Sequence, residues 1–555
     1  MGFAGLHRLF ADSESGQGSG GFIVERYGNL IADPDGILDL PPGFAYRVFS
    51  RTGDLMDDGL LVPGDHDGMA AYPRQDGKTV LVRNHELSAD EIEKSPYGTA
   101  NELVGQVPLE KMYDPGLPDI GGTTTMVYDT RTGTLESHFL SLAGTLRNCA
   151  GGPTPWNSWV TCEESVQRAV DGHERDHGYN FDVPADAAEL VDPVPLIDMG
   201  RLYHEAIAVD PKSWIVYQTE DRSDGLIYRF IPNQPGNLAA GGRLQALAIR
   251  DMPSVDTRNW ERRAVHVGQA LDVSWIDIVN VESPEDDLRH QGYSNGAAMF
   301  ARGEGMWYGN GAIFFACTNG GAARTGQIWR YIPSRFEGTT GEDIYPGRLD
   351  LFIEPNNSSL LENADNVTVA PWGDLILCED GVGVQFLVGV TPEGNLYKFG
   401  KNSLNDSEFA GVTFSPDGTT LFVNIQNPGL TLAITGPFHS ARVLGESARK
   451  PAATFGQIRR AELFQNYPNP FNPDTWIPFK LAEAADVRMD IFSSTGSLVR
   501  RLNLGYLPAG DYRHRSKAAY WDGRNSYGER ASSGLYFLQM HAGDYTSRQK
   551  LEVRR

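Results

Sequence analysis

Short runs of β-branched and aromatic residues, each stopped by Gly, Pro, Asn or Asp, follow one another along most of the chain, and helical periodicity is scarce. Apolar runs of that length bounded by turn formers predict strands. One junction recurs. Segments 80–86, 159–164, 215–221, 313–319, 375–380 and 421–427 each pass from an apolar run into polar residues. Three of the six are followed by a turn and a second aromatic run, at 225–230, 326–331 and 394–399. Hairpins repeated at irregular intervals of about 45 to 100 residues suit propeller blades with loop insertions, because each small sheet buries its faces on its neighbours. The predicted fold is therefore all-β, with a six-bladed β-propeller over residues 21–440.

The texture changes after residue 440. Residues 441–462 read as a linker, and alternating strands such as 487–492 and 534–540 make 463–555 a small immunoglobulin-like β-sandwich. The apolar opening, residues 1–11, runs into a Ser/Gly tract, so residues 1–20 read as a residual export signal or a disordered N-terminus. No run approaches the roughly 18 apolar residues of a transmembrane helix.

Charge narrows the function. The chain carries a formal −24, and residues 461–555 hold 13 Lys+Arg against 10 Asp+Glu, which leaves −27 on residues 1–460. A nucleic-acid partner is excluded, since such proteins concentrate cations against phosphates. The acidity is either solvated surface or the counter-charge of bound cations. If equivalent strands end at Glu86, Glu164, Asp221, Asn319, Glu379 and Asn424, radial symmetry brings oxygen donors to one mouth of the central channel. Hard cations with six to eight oxygen ligands would then be the natural occupants; strand-terminal Asp and Asn that merely close turns are the alternative.

The densest segment is 148–164. Cys149 stands just before Gly151-Gly152-Pro153, where the backbone can approach a partner closely, and Glu163-Glu164 close the next run. From the residues alone, Cys149 is either a small buried apolar side chain or a metal ligand or nucleophile. Arg302 lies two residues from Glu304, so an extended strand directs both to one face, where the guanidinium either grips phosphate oxygens or makes a surface ion pair. His66, His85 and His204 are structural hydrogen bonders or participants in the site.

Segment 148–164, together with 200–205, 221–225, 300–308 and 411–418, resembles the PhoX family of alkaline phosphatases, in order and over roughly residues 20–440. The resemblance implies a propeller whose axial site holds Fe³⁺ and Ca²⁺ and cleaves small phosphate monoesters. It implies Cys149 as a thiolate ligand to iron and Glu164, Glu205, Glu304, Asp365, Glu379 and Glu408 as iron or calcium ligands, with Glu86 from the ring beside them. It also implies Arg302 as the phosphate grip, with Asn148 as a second donor. The surroundings of residues 303–308 resemble a shorter subgroup, which bears on the substrate before it bears on fold or metals. A calcium-dependent lactonase and a surface-anchored binding propeller with structural metals are the competing readings, and neither needs Cys149 together with Arg302.

The octapeptide 466–473, Asn-Tyr-Pro-Asn-Pro-Phe-Asn-Pro, and the basic end 548–555 resemble the C-terminal sorting domains of secreted bacterial proteins and FlgD-type modules. That resemblance implies an encounter with secretion or cell-surface machinery and a secreted, periplasmic or cell-surface location.

Overall fold

The recurrent apolar runs are strands, and their lack of alternation has a simple cause. In Thr79–His85 every side chain is buried, because this strand lies inside a sheet, between His66–Pro73 and Gly121–Asp129, and both faces of that sheet are covered. Tyr72, Val82, Trp159 and Phe181 fill the gap to the next sheet. Tyr217, Leu247, Phe300, Phe315, Trp329 and Tyr331 fill another gap further along the chain. Each such side chain contributes about 1.5–3 kcal/mol on burial.

The computed structural model describes residues 23–438 except 117, 118 and 171, and residues 461–554 except 473, 482–484, 508, 509, 514–516, 526–528 and 544. The chain divides into two compact units between Gly445 and Glu446. The expected export remnant at 1–20 and nearly all of the expected linker 441–462 lie outside the described residues.

In the first unit, antiparallel groups of strands follow one another. The first group is His66–Pro73, Thr79–His85, Gly121–Asp129 and Thr134–Thr145; the second is Asn148–Pro153, Ser158–Glu163 and Asn180–Pro184. Next come His204–Val209, Val216–Glu220, Ile227–Pro232 and Gly242–Ile249, joined through Leu271–Asp277 to Gly303–Gly309, Ala312–Cys317, Gln327–Ile332 and Arg348–Ile353. Ala364–Val369, Leu375–Glu379, Phe386–Val390 and Leu396–Asn402 follow, with Leu38–Asp39 on the edge. The last group takes Phe409–Phe414, Thr420–Ile425 and Leu430–Thr435 and is completed by Ala45–Arg51 from the other end of the chain, Ala45 opposite Thr435. The first strand of each group packs on the first strand of the next, and Phe409–Phe414 packs back on His66–Pro73. The circuit closes. This is a nearly all-β, propeller-like fold, and its inner strands surround one axis.

The second unit is a separate β structure. Leu498–Leu507, Ala485–Ser493, Gly534–Ala542 and Tyr545–Val553 form a four-stranded antiparallel sheet, and shorter strands complete the domain. Ile477, Phe479, Met489, Ile491, Trp521, Leu538 and Met540 form its core.

Candidate active site

Every inner strand is irregular at the same place. Register with the second strand jumps between His66 and Met69, Asn148 and Gly151, His204 and Ile207, Gly303 and Met306, Ala364 and Val367, and Ala410 and Thr413. Each jump leaves two residues opposite one, a β-bulge, which re-aims the side chain it carries. The first bulge residues are Asp67, Cys149, Glu205, Glu304, Asp365 and Gly411. Five of the six carry a metal-ligating group. Gly411 cannot carry one: its φ is +60°, and a Cβ there would lie 2.3 Å from the carbonyl oxygen of Asp67. At Gly305, beside Glu304, a Cβ would lie 2.6 Å from the carbonyl oxygen of Asp365, so glycine allows two inner strands to approach closely.

A second tier comes from the residue after each second strand, whose N–H donates to the carbonyl of the residue before the first strand. The pairs are Glu86 to Asp65, Glu164 to Arg147, Asp221 to Tyr203, Thr318 to Arg302, Asp380 to Asn363 and Gln426 to Glu408, all at 2.9–3.2 Å. Glu86, Glu164 and Asp221 are placed as the sequence predicted. The other three predictions are displaced. Glu379 ends its strand with a carboxylate that accepts from Lys398 Nζ at 2.8 Å and from the N–H groups of Glu362 and Phe386, and its neighbour Asp380 takes the place beside the axis. Asn424 stays inside its strand and donates to the carbonyl of Asp67 at 2.6 Å. Thr318, not Asn319, holds the equivalent position.

These tiers converge. Ligand atoms of Glu205, Glu304 and Asp365 all lie within 4.8 Å of one another. Burial, then the charges of Glu86, Asp365 and Glu205, raise Asp67 well above the usual carboxylate range. Burial and neighbouring acids likewise raise Glu205, Glu304 and Glu408, and push Glu164 to about 8 and Asp365 to about 7. Asp67 Oδ1 and Asp365 Oδ1 are buried without a hydrogen-bond partner among the described residues. Crowded acids with orphaned oxygens are what a cation site looks like before its ions are counted. The donor set fits metal: hard oxygens suit calcium, and one thiol adds a softer position that suits iron.

All four cysteines are free. The Cys149 thiol is buried 3.3 Å from the carbonyl oxygen of His204, and burial, followed by the charges of Glu205 and Glu164, holds its pKa high. Such a thiol ionises against a cation, not in the bare site.

Two arginines reach the acidic cluster from the same backbone position. Arg147 and Arg302 each precede an inner strand in the left-handed region, φ +48° and +49°, a conformation that costs a residue with a Cβ about 1–2 kcal/mol. Arg302 donates from Nε and Nη2 to Asp221 at 2.8 and 2.7 Å, and Nη2 also lies 2.7 Å from Glu304 Oε1. Arg147 Nη2 pairs with both Glu86 and Glu164. Each side chain remains 37% exposed. Arg302 and Glu304 do meet, but through a left-handed residue followed by a bulge, not through the simple alternation of an extended strand.

Asn148 does not join them. It is fully buried, its Oδ1 accepting from Thr145 Oγ1 at 2.6 Å and its Nδ2 donating to Thr161 Oγ1 at 3.0 Å. His66, His85 and His204 are also buried, bonded to Pro63, Gly64 and Gly200 carbonyls respectively. Sequence reasoning missed Asp67, Asp380 and Arg147. The signal for Arg147 was spacing: Arg147 stands two residues before Cys149 as Arg302 does before Glu304.

Residues 25–429 match the family of alkaline phosphatase PhoX, and residues 472–545 match the FlgD Ig-like domain. No curated protein matches the chain by sequence. Among solved structures the chain is similar to Pseudomonas fluorescens PhoX in complex with vanadate, a transition state analogue, at 16% identity and TM-score 0.55, over 75% of this chain and 98% of that one. A weaker likeness, TM-score 0.30 at 13% identity, is to a gluconolactonase of Xanthomonas campestris, over 71% of this chain and 95% of that one. Another, TM-score 0.28 at 13% identity, is to PorZ, a surface component of the type-IX secretion system of Porphyromonas gingivalis, over 89% of this chain and 60% of that one. By the match over most of its length, the chain belongs to the PhoX family of alkaline phosphatases, phosphate monoesterases, and carries a C-terminal FlgD-type immunoglobulin-like domain.

Proposed function

We propose that this chain is an exported phosphatase that hydrolyses small phosphate monoesters at an axial iron–calcium site, and that its C-terminal domain delivers it to secretion or cell-surface machinery. The carrying observation is the meeting of buried acids and a thiol with two half-exposed arginines at one end of the inner strands. Cys149, Glu205, Glu304, Asp365 and Asp67 would form the inner ligand set, with Glu86, Glu164, Asp221, Asp380 and Glu408 around it. When bound, Fe³⁺ and Ca²⁺ would supply positive charge against the phosphoryl oxygens and Lewis acidity for the attack by an oxygen nucleophile.

The chain's own part is orientation and charge. Asp221 fixes the Arg302 guanidinium through two parallel hydrogen bonds, and Glu86 and Glu164 fix that of Arg147. Among the described residues the Nη1 group of each arginine makes no hydrogen bond, so each retains donors for a phosphoryl oxygen. Donors held before the substrate arrives need no reorganisation as charge develops, which is where such groups act most strongly. Among the described residues no helix is long and apolar enough to cross a membrane.

The test is a paired assay on metal-loaded protein, with a generic phosphate monoester and a lactone side by side and iron and calcium counted per chain. Monoester hydrolysis abolished by chelation and inhibited by vanadate is expected. Lactone hydrolysis without phosphatase activity would overturn the reading.

A further inference from the structure

A second cluster of metal-ligating side chains lies outside the axial set. Asp114 follows the turn Leu109–Lys111, Asp119 precedes strand Gly121–Asp129, and His173 and His177 belong to the segment between Ser158–Glu163 and Asn180–Pro184. Asp114, Asp119 and His177 are fully buried and His173 nearly so. Their four ligand atoms all lie within 4.8 Å of one another. His173 Nδ1 is 3.2 Å from Asp119 Oδ2 and 3.6 Å from Asp114 Oδ2; His177 Nε2 is 3.3 and 3.5 Å from the same two atoms. A tetrahedron with metal–ligand bonds of about 2.0–2.1 Å has edges of about 3.3 Å.

Neighbouring groups fix the orientation of His177 and Asp114. His177 Nδ1 lies 2.7 Å from Glu163 Oε1; in the neutral ring that a metal would bind, donation there leaves the lone pair on Nε2. Among the described residues Nε2 itself makes no hydrogen bond, nor does Asp119 Oδ1, although both are buried. Glu163 is held in turn by the N–H groups of Leu146, Gly178 and Tyr179. Asp114 is held by those of Gly116, Glu174 and Arg175. Ligands on two separate loops, one on each loop oriented by a second layer of hydrogen bonds, are what a metal centre requires and a chance ion pair does not.

We propose that His173 Nδ1, His177 Nε2, Asp114 and Asp119 form a second metal site, a closed tetrahedral Zn²⁺ centre that fastens the loop before strand Gly121–Asp129 to the loop before strand Asn180–Pro184. Two imidazoles and two carboxylates suit zinc, whereas calcium takes six to eight oxygens. Four protein ligands leave no open position, so the role is structural.

The test uses the full chain in a Cys149→Ser background, which removes the axial thiolate, with Zn²⁺ and Co²⁺ as probes. With the axial carboxylates saturated by Ca²⁺, one equivalent of zinc is expected to bind, Co²⁺ is expected to give the intense visible bands of tetrahedral coordination, and saturating Zn²⁺ is expected to raise Tm by several degrees. His173→Gln should lose the zinc equivalent, the bands and the Tm shift. His173 sits at the rim of the cluster, so this variant disturbs packing least. Failure of zinc to bind the Cys149→Ser protein, or binding with the same stoichiometry and Co²⁺ spectrum in His173→Gln, would overturn the proposal. If His173→Gln does not fold, the Co²⁺ titration of the Cys149→Ser protein decides alone, octahedral or absent bands counting against the site.

Discussion

Glu163 and Glu164 are consecutive, yet their carboxylates serve different centres: Glu163 holds His177, while Glu164 pairs with Arg147 at the axial cluster. The strand Ser158–Glu163 and the residue after it thus connect the two clusters through one peptide bond. Glu163→Gln would keep the shape of the side chain and remove its charge from His177. We expect it to weaken zinc binding by about 10- to 100-fold, the scale for a second-layer partner, with iron and calcium content unchanged; a metal analysis at graded zinc concentrations measures both.

Arg302→Ala should lower monoester turnover by about a hundredfold to a thousandfold, the scale for one lost preorganised donor. Arg302→Lys should recover little, because an ammonium cannot keep the two-point contact with Asp221 while reaching substrate. Arg147→Ala should lower turnover as well. Steady-state kinetics with iron and calcium counted in each variant separate loss of the grip from loss of metal.

Asp380 and Glu379 make a pair of opposites. Asp380→Asn should reduce calcium content and activity. Glu379→Gln breaks a buried contact with Lys398 and should cost about 1–3 kcal/mol of stability with metal content intact. Denaturant unfolding beside metal analysis reads both, and the reverse pattern would restore Glu379 to the site.

The metal-free protein should lose stability as pH rises. Burial and neighbouring acids raise Glu164 to about 8 and Asp365 to about 7, so between about pH 4 and pH 8 the folded chain holds protons that the unfolded chain has released. Stability therefore falls across that window. On the proposed reading Ca²⁺ would take the place of those protons, so Tm against pH should slope downward in chelator and flatten when calcium is added.

Gly411→Ala should cost about 1–3 kcal/mol, since the added methyl meets the carbonyl of Asp67 and the backbone is left-handed there. Thermal unfolding measures it.

Strand identity and the family were legible because both rest on local sequence: buried apolar runs, and the uncommon segments around Cys149 and Arg302. Glu86, Glu164 and Asp221 could be placed by counting to the end of a strand. The inner tier could not be derived that way, because a bulge changes which side a residue faces without leaving a residue signature. Asp67 follows His66 in a run that reads as ordinary strand. Glu379 and Asp380 differ by one position, and only the pairing of Glu379 with Ala364 settles which of them lies beyond the ladder. Asn148 looked like a donor beside Cys149, but its amide is consumed by two threonines of its own neighbourhood.

The pairing of Ala45 with Thr435 ties together positions nearly the whole first unit apart. Until the last strands have been synthesised, Ala45–Arg51 has no partner and the ring has an open edge, with unpaired N–H and C=O groups available to any other strand. Contacts this distant in sequence make folding slow. A chain cut short before Leu430 would therefore be an aggregation hazard, and the acids that converge on the axis would have no common centre until closure is complete.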